Sequence, residues 1–518
     1  MPSSAKILSN TAFPVAGKLM SILISVVIIK LLSTNLGVDG FGYYIIIFEF
    51  AAIFGGVSDF GIYVTSVQEL AASEKSEAPR ILGNALGMRL VTAVTSMLIA
   101  GVVVAIIPKY HYTPIVIGVW LATSMVIINS ITECMKSVLQ ANYKIQYGTL
   151  AAGAGKLARL LWIVFILLLL NPGGIAGSGI NIFSNPPAGA SGSVTLVIYL
   201  VVAGFTFGSL VEFLVTYHYA HRLADISFRF EMDYWKPFLF KTVPYGIAVF
   251  LAAAYFRIDV LMLSLLVGPE AVGIYAVAMR LLENGAFIPV AFVNALLPAL
   301  ALGIQKGDHH RVEDLLRKSW LFMLSISLPL VLLATGYAVP LTLLFSSRDF
   351  VSSSVVPVGS DVAIQISVWA LLFSSLSRVF VLTSIAMGSQ LKILVINAVG
   401  VTFNVITNLI FIPKYGLIAA ATTTVLSEGL VLALNFSVVW RALRFRPPVI
   451  ASLGLVGAAV LVFGLSGLVF HRLMNPESIV TMLLMSTASC VVYLFVLKTT
   501  VLRTYLRTFH VFGVGRGW

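Results

Sequence analysis

The sequence predicts an all-α, polytopic membrane protein of about fourteen transmembrane helices: two parallel six-helix lobes and an extra C-terminal pair. Three observations carry this. Of the 518 residues, 59% are hydrophobic and 10% are charged, whereas a water-soluble chain carries roughly a quarter of its residues as charges. The hydrophobic residues gather in fourteen runs, each long enough to cross a hydrocarbon layer ~30 Å thick. One short motif recurs 231 residues later, near the start of each half.

In chain order the runs are residues 13–32, 43–66, 85–107, 115–138, 150–170 and 194–217, then 243–267, 272–302, 319–345, 362–387, 391–412 and 417–440, and last 449–470 and 479–497. This divides the chain into a first lobe at 1–218, an interfacial connector at 219–242, a second lobe at 243–442, and a final pair with a basic tail at 443–518. The connector mixes Phe228, Phe230, Tyr234 and Trp235 with Arg229 and Lys236, a composition suited to a membrane surface and open to helix or extended chain. Segment 171–193 has no charged residue and reads as Gly-, Asn-, Pro- and Ser-rich coil.

Charge sets the expected orientation. Of the 33 Lys and Arg residues, 25 fall in or beside segments on one side, Arg80, Lys136, Lys144, Arg311 and Arg441 among them, and four (Lys109, Arg348, Lys414, Arg472) fall on the other. The positive-inside rule then makes both termini cytoplasmic. The net charge of +12 faces an anionic inner leaflet, and no nucleic-acid partner is expected. Lys6 precedes an apolar run without a small-residue cleavage site, the pattern of a retained first span. Cys134 and Cys490 both lie in apolar runs, and the seven histidines sit mostly in loops. Neither a disulfide framework nor a metal cluster is expected, and no cofactor or catalytic group.

In the repeat, Leu36-Gly37-Val38-Asp39-Gly40-Phe41-Gly42-Tyr43-Tyr44 aligns with Val267-Gly268-Pro269-Glu270-Ala271-Val272-Gly273-Ile274-Tyr275. Each copy falls in the turn between the first two helices of a six-run block. Six crossings are an even number, so the blocks share one orientation and form parallel repeats.

Read with its surroundings, the repeat is similar to a known family. Asn10-Thr11, the Gly37 to Tyr44 turn and Asp59-Phe60-Gly61 open the pattern. Pro244-Tyr245-Gly246, Arg257-Ile258-Asp259, Gly273-Ile274-Tyr275-Ala276, Ala278-Met279-Arg280-Leu281, Leu297-Pro298, Asn404 to Asn408, Ile412-Pro413-Lys414-Tyr415-Gly416 and Ala419-Ala420-Ala421-Thr422 follow in order. From about residue 8 to 440 the chain resembles the O-antigen (Wzx-type) and lipid-linked-oligosaccharide flippases of polysaccharide biosynthesis, within the multidrug/oligosaccharidyl-lipid/polysaccharide exporter superfamily. The resemblance implies a MATE-like pair of lobes, with the last two helices as an addition that lipid-precursor flippases also carry. It further implies a multi-pass protein of the cytoplasmic membrane, monomeric, not an enzyme, moving a polyprenyl-pyrophosphate-linked glycan among membrane lipids beside polysaccharide-assembly proteins.

Ten ionisable residues are read as embedded in the spans, the bases nearer the run ends being counted toward orientation: Lys30, Glu49, Asp59, Glu133, Arg257, Asp259, Arg280, Glu283, Arg378 and Glu428. A charge at mid-bilayer costs at least ~2.5–3.5 kcal/mol, so each is expected to face a cavity or a partner. Arg280, Arg257, Arg378 and Lys30 are the candidate substrate contacts, through charge-assisted bonds to pyrophosphate or acidic sugar. The resemblance implies a cavity arginine on the helix that holds Arg280. Its other reading is a local pair with Glu283, three residues on. Lys30 could instead snorkel to the surface, and Asp59 could cap a helix. Asp259, Glu283, Glu49, Asp59, Glu133 and Glu428 are candidates for charge pairing or for coupling to H+ or Na+. These carboxylates outnumber the bases, which keeps an exporter of cationic drugs as the rival reading. A membrane polymerase or glycosyltransferase is disfavoured because segment 171–193 holds no acidic, basic or histidine side chain.

Overall fold

The structure, a computed structural model, describes residues 4–73, 77–111, 113–142, 144–170, 191–255, 257–354 and 356–500. Most of the charge-free segment 171–193 and the basic tail beyond residue 500 lie outside them. Among the described residues the regular elements are helices: α1 (Ser4–Asp59), α2 (Ile62–Ala72), α3 (Ala78–Ile106), α4 (Ile115–Ala141), α5 (Ile145–Leu170), α6 (Ser191–Ala220), α7 (Met232–Tyr255), α8 (Ile258–Leu266), α9 (Pro269–Gly285), α10 (Phe287–Gln305), α11 (His309–Gly336), α12 (Ala338–Phe345), α13 (Ser360–Ser367), α14 (Trp369–Ala386), α15 (Gln390–Leu443), α16 (Val449–Leu473) and α17 (Ile479–Thr500). They form two compact units, Met1–Gly273 and Ile274–Trp518.

Ten helical stretches among the described residues are long and apolar enough to cross a membrane, and two of them run for 55 and 54 residues. A straight helix of that length would reach about 80 Å, more than twice the hydrocarbon thickness. The second is broken at Gly416 (φ 53), and the first at Gly37 (φ 69) and again at Phe60-Gly61, where the backbone leaves the helical region. Positive φ costs glycine no Cβ clash.

In the first unit the contacts show that Gly37 reverses the chain. Before it, Gly17 faces Thr149, and Ser21 and Ser25 meet Lys156, so α1 follows α5 in the same direction. Beyond it, Gly40 faces Val194, and Tyr44 and Phe48 pack on Phe205, so α1 now follows α6. Helices α5 and α6 are antiparallel, since Gly155 meets Gly208 and the Trp162 indole donates to the Leu200 carbonyl at 3.0 Å. The two arms of α1 are therefore a hairpin. A Cβ on Gly42 would strike the Pro269 carbonyl, and one on Gly273 would strike the Val38 carbonyl. These are equivalent positions of the 231-residue repeat, and Gly37 and Gly268 both take positive φ. The two turns thus lie together at one level, as parallel repeats require.

The expected seventh and eighth crossings are interrupted. Run 243–267 divides into α7, ending at Tyr255, and α8, beginning at Ile258, and run 272–302 divides after Gly285 into α9 and α10. None of the four pieces is among the ten long stretches.

The connector is extended over 225–231 and turns helical at Met232. It lies across the start of α3. Arg229 N–H donates to the Gly83 carbonyl at 3.0 Å, and the Asn84 side-chain oxygen accepts from both Glu231 N–H and the Trp235 indole at 3.0 Å. Trp235 and Phe238 close a core with Leu82, Leu86, Met88, Met135 and Val138.

In the second unit, Asn404 donates to Ser427 across the Gly416 turn at 3.4 Å. Twenty-three residues of straight helix would separate them by about 35 Å, so α15 is also a hairpin. The last pair docks on α11 and α12: the Trp320 indole donates to Ser452 at 3.1 Å, Tyr337 and Ser489 both reach Ser466, and Gly336 lies against Gly467.

Candidate functional site

In the first unit the helix of α1 ends at Asp59. Phe60 (φ 40) and Gly61 (φ 76) turn the chain, and α2 begins at Ile62. Asp59 Oδ1 accepts the Tyr63 N–H at 3.3 Å, tying down the first turn of α2. The same oxygen receives Arg89 Nη2 from α3 at 2.5 Å, and Arg89 Nη1 donates to Ser130 Oγ on α4 at 3.3 Å. Arg89 is only 3% exposed, so this pairing offsets the cost of a buried charge.

These groups line a cavity of about 390 Å3, walled by Phe48, Ala51, Ala52, Gly55, Met125 and Val126 and floored by Ser58, Asp59, Tyr63, Arg89, Asn129, Ser130 and Glu133. A second cavity, about 330 Å3, lies between α1, α4 and α5 and is lined by Lys18, Ser21, Lys136, Gln140, Thr149 and Lys156. Tyr63 borders both, with its hydroxyl donated to Gln140 Oε1. Lys136 Nζ meets Glu133 of its own helix and Glu212 of α6, each at 2.7 Å.

The candidate charges are distributed as follows. Asp59 and Glu133 share the larger cavity. Glu49, on the second arm of α1, forms an ion pair with Arg257. Arg257 and Asp259 are not two points on one continuous helix, as the run implied. Arg257 caps the break before α8 with non-helical angles (φ −130, ψ −16), and Asp259 is buried in the first turn, accepting its neighbour Val260 N–H at 2.9 Å. Lys30 lies half-buried on the first arm of α1, with its carbonyl accepting Ser33 Oγ. In the second unit Arg280 meets Glu283 at 2.6 Å on α9, and Arg378 of α14 is in electrostatic contact with Glu428 of α15. Among the described residues the buried Arg378 Nε has no hydrogen-bond partner.

The sequence reading overlooked five charged groups around the two cavities: Arg89, Lys136, Lys156, Arg159 and Glu212. Its count of carboxylates exceeding bases does not hold for the first unit. Lys136 and its neighbours had been counted with the segments flanking the runs, yet α3, α4 and α5 carry them inside the bundle. The signal was there: Glu133, Lys136 and Gln140 are spaced i, i+3, i+7, and Lys156 and Arg159 i, i+3, each set sharing one helix face.

The fold, with ten helical stretches among the described residues long and apolar enough to cross a membrane, is that of a multi-pass membrane protein. A family model described as MatE matches residues 244–410. The chain belongs to the polysaccharide biosynthesis protein family, whose model matches residues 7–302. No curated protein matches it in sequence. Among solved structures it is similar to the lipid II flippase MurJ in an inward closed conformation (TM-score 0.70, 12% identity, 94% of this chain and 98% of that one). It is also similar to an inward-facing multidrug resistance MATE transporter of the MOP superfamily (0.61, 14%, 84% and 98%), and to a MOP superfamily transporter from Pyrococcus furiosus whose binding pocket has reverse polarity (0.57, 14%, 85% and 95%). At such identities the likeness describes the fold.

Proposed function

We propose that the protein is a flippase that carries a polyprenyl-pyrophosphate-linked oligosaccharide across the cytoplasmic membrane by alternating access, with both termini cytoplasmic. The observation that carries this reading is the charge matching of the larger cavity. Its carboxylates already hold bases, Asp59 with Arg89 and Glu133 with Lys136, so it offers a lipophilic cation no surplus negative charge. What it offers is a ring of hydrogen-bonding groups, Ser58, Asn129, Ser130 and Tyr63, beside the Phe48 ring. That chemistry suits sugar hydroxyls, with an apolar face for the pyranose ring.

In this reading Arg257 and Arg280 exchange Glu49 and Glu283 for pyrophosphate oxygens, and Arg378 and Lys30 add positive charge. Asp259, Glu283, Glu49 and Glu428 take up the coupling H+ or Na+. The chain works as a monomer among membrane lipids, beside polysaccharide-assembly proteins.

The test is reconstitution in liposomes with a fluorescent polyprenyl-pyrophosphate glycan, scoring the glycan that becomes accessible to an impermeant glycosidase. Translocation that weakens in Asn129→Ala supports the flippase. No glycan translocation, with ethidium efflux driven by an ion gradient, would establish the drug-exporter reading instead.

A further inference from the structure

The smaller cavity carries a charge pattern that the flippase reading leaves unused. Lys156, half-buried on α5, donates from Nζ to the Ser21 carbonyl at 3.2 Å and to Ser25 Oγ at 3.1 Å. Among the described residues no carboxylate forms an ion pair with it. Lys18 lines the same cavity, and Lys18 and Arg159 both repel the Lys156 charge, against attraction from Glu212. Glu212 is already engaged with Lys136. Arg159 lies 4.2 Å from the Phe205 ring, with its buried Nε lacking a hydrogen-bond partner among the described residues. Lys156 and Arg159, with the exposed Lys18 at the cavity's edge, are therefore set against one shared carboxylate, and an unmatched charge inside a membrane bundle is costly. An anion in the cavity would offset it, with Ser21, Thr149 and Gln140 as further polar groups on its wall.

The surroundings indicate what kind of anion. Leu19, Met20 and Leu23 on α1 and Leu157 and Leu161 on α5 are exposed, on the same two helices whose facing sides line the cavity. A free anion would gain nothing from them, whereas a phosphate carried on a hydrocarbon chain would seat its head at the lysines and its tail along these side chains.

We propose that Lys18 and Lys156, backed by Arg159, form a site for lipid-borne phosphate in the seam of α1, α4 and α5. It stands apart from the arginines assigned above to the pyrophosphate, and it rests on the cavity and its charges.

The experiment uses the full chain in nanodiscs of neutral phosphatidylcholine, titrated with geranylgeranyl pyrophosphate, dioleoylphosphatidylglycerol or inorganic pyrophosphate, and read by binding and by thermal unfolding. Lys156→Met removes the unmatched charge, so its ligand-free form is expected to melt higher than wild type while its affinity for lipid phosphate falls about tenfold, the value of a hydrogen bond to a charged group. Lys156→Gln, which retains a donor for Ser21, is expected to lose affinity as well, and so is Lys18→Gln. Lys306→Gln, on an exposed turn, is the control. Inorganic pyrophosphate is expected to bind wild type more weakly than either lipid. Loss confined to the isoprenoid assigns the site to a carrier lipid, and equal loss of both lipids assigns it to acidic headgroups in general. Equal binding by wild type and all three variants, or no binding of either lipid, would overturn the site. Because transport is not the readout, either result leaves the flippase reading to its own test.

Discussion

Gly42 and Gly273 occupy equivalent places in one reciprocal contact: each presents its bare Cα to the backbone carbonyl of the residue that begins the other copy's turn, Pro269 and Val38. The repeat is visible here as a local two-fold relation, with glycine on each side where one backbone closely approaches the other.

A methyl group at either position has no flexible side chain to displace, only backbone. Gly42→Ala and Gly273→Ala are each expected to destabilise the protein by about 1–3 kcal/mol, the range for overpacking. Gly55→Ala is the comparison, because its Cβ would sit 3.5 Å from Val126 Cγ1, an ordinary contact. Thermal unfolding in detergent checks this, and equal melting of all three variants would refute it.

The Asp59–Arg89 pair is unequally buried, with side-chain exposures of 25% and 4%. Asp59→Asn leaves a buried guanidinium without its counter-charge, and the expected loss is about 3 kcal/mol. Arg89→Met leaves a carboxylate that reaches the cavity, so it should cost less. The double variant Asp59→Asn with Arg89→Met is expected to recover part of the loss. If Arg89→Met proves the more damaging change, the burial argument is wrong.

Arg280 and Glu283 are a partly exposed i, i+3 pair, worth only about 0.3–0.5 kcal/mol to stability. A transport defect in their variants would therefore report on function. Arg280→Lys keeps the charge but loses the planar two-point bond, and a partial defect is expected, with Arg280→Ala worse and Arg280→Glu worst. Glycan-lipid flipping by the double variant Arg280→Ala with Glu283→Ala decides the matter. Failure is expected, and normal flipping would reduce Arg280 to a local charge partner.

Outside the bundle, the hydrogen bond from Arg80 Nε at 2.7 Å holds the Glu231 carboxyl below its ordinary range. A depressed carboxylate pKa contributes stability above the ordinary value and loses it as pH falls through the lowered one. In Arg80→Gln the loss should begin at a higher pH. Trp235 fluorescence, titrated downward from about pH 6 through the carboxylate range, is expected to shift first in the variant. Superimposable curves would show that Arg80 does not govern the connector.

Much of this was legible in the sequence, for an identifiable reason. Helices α3 to α6 present uniform apolar runs because lipid surrounds them, and the Gly37 turn announced itself by recurring at Gly268. The break at Arg257 was not legible, since a hydropathy window averages over a single non-helical residue and no proline stands beside it. The break after Gly285, by contrast, carried a signal in Pro289, which has no N–H to donate to the Gly285 carbonyl four residues back. The paired cavities were hidden for a related reason. Arg89 and Lys156 sit near the ends of apolar runs, where a base normally counts toward orientation, and only the third dimension shows that one meets Asp59 while the other forms no ion pair with a carboxylate among the described residues. The connector's extended form likewise depends on Asn84, a residue more than a hundred positions away in the chain.

That asparagine makes the connector a linkage rod instead of a slack tether. One amide oxygen grips both the last extended residue and the first indole of α7, so the start of α7 cannot tilt without carrying the head of α3 with it. Any torque applied to α7 is delivered to the helix that bears Arg89, and so to the wall of the larger cavity.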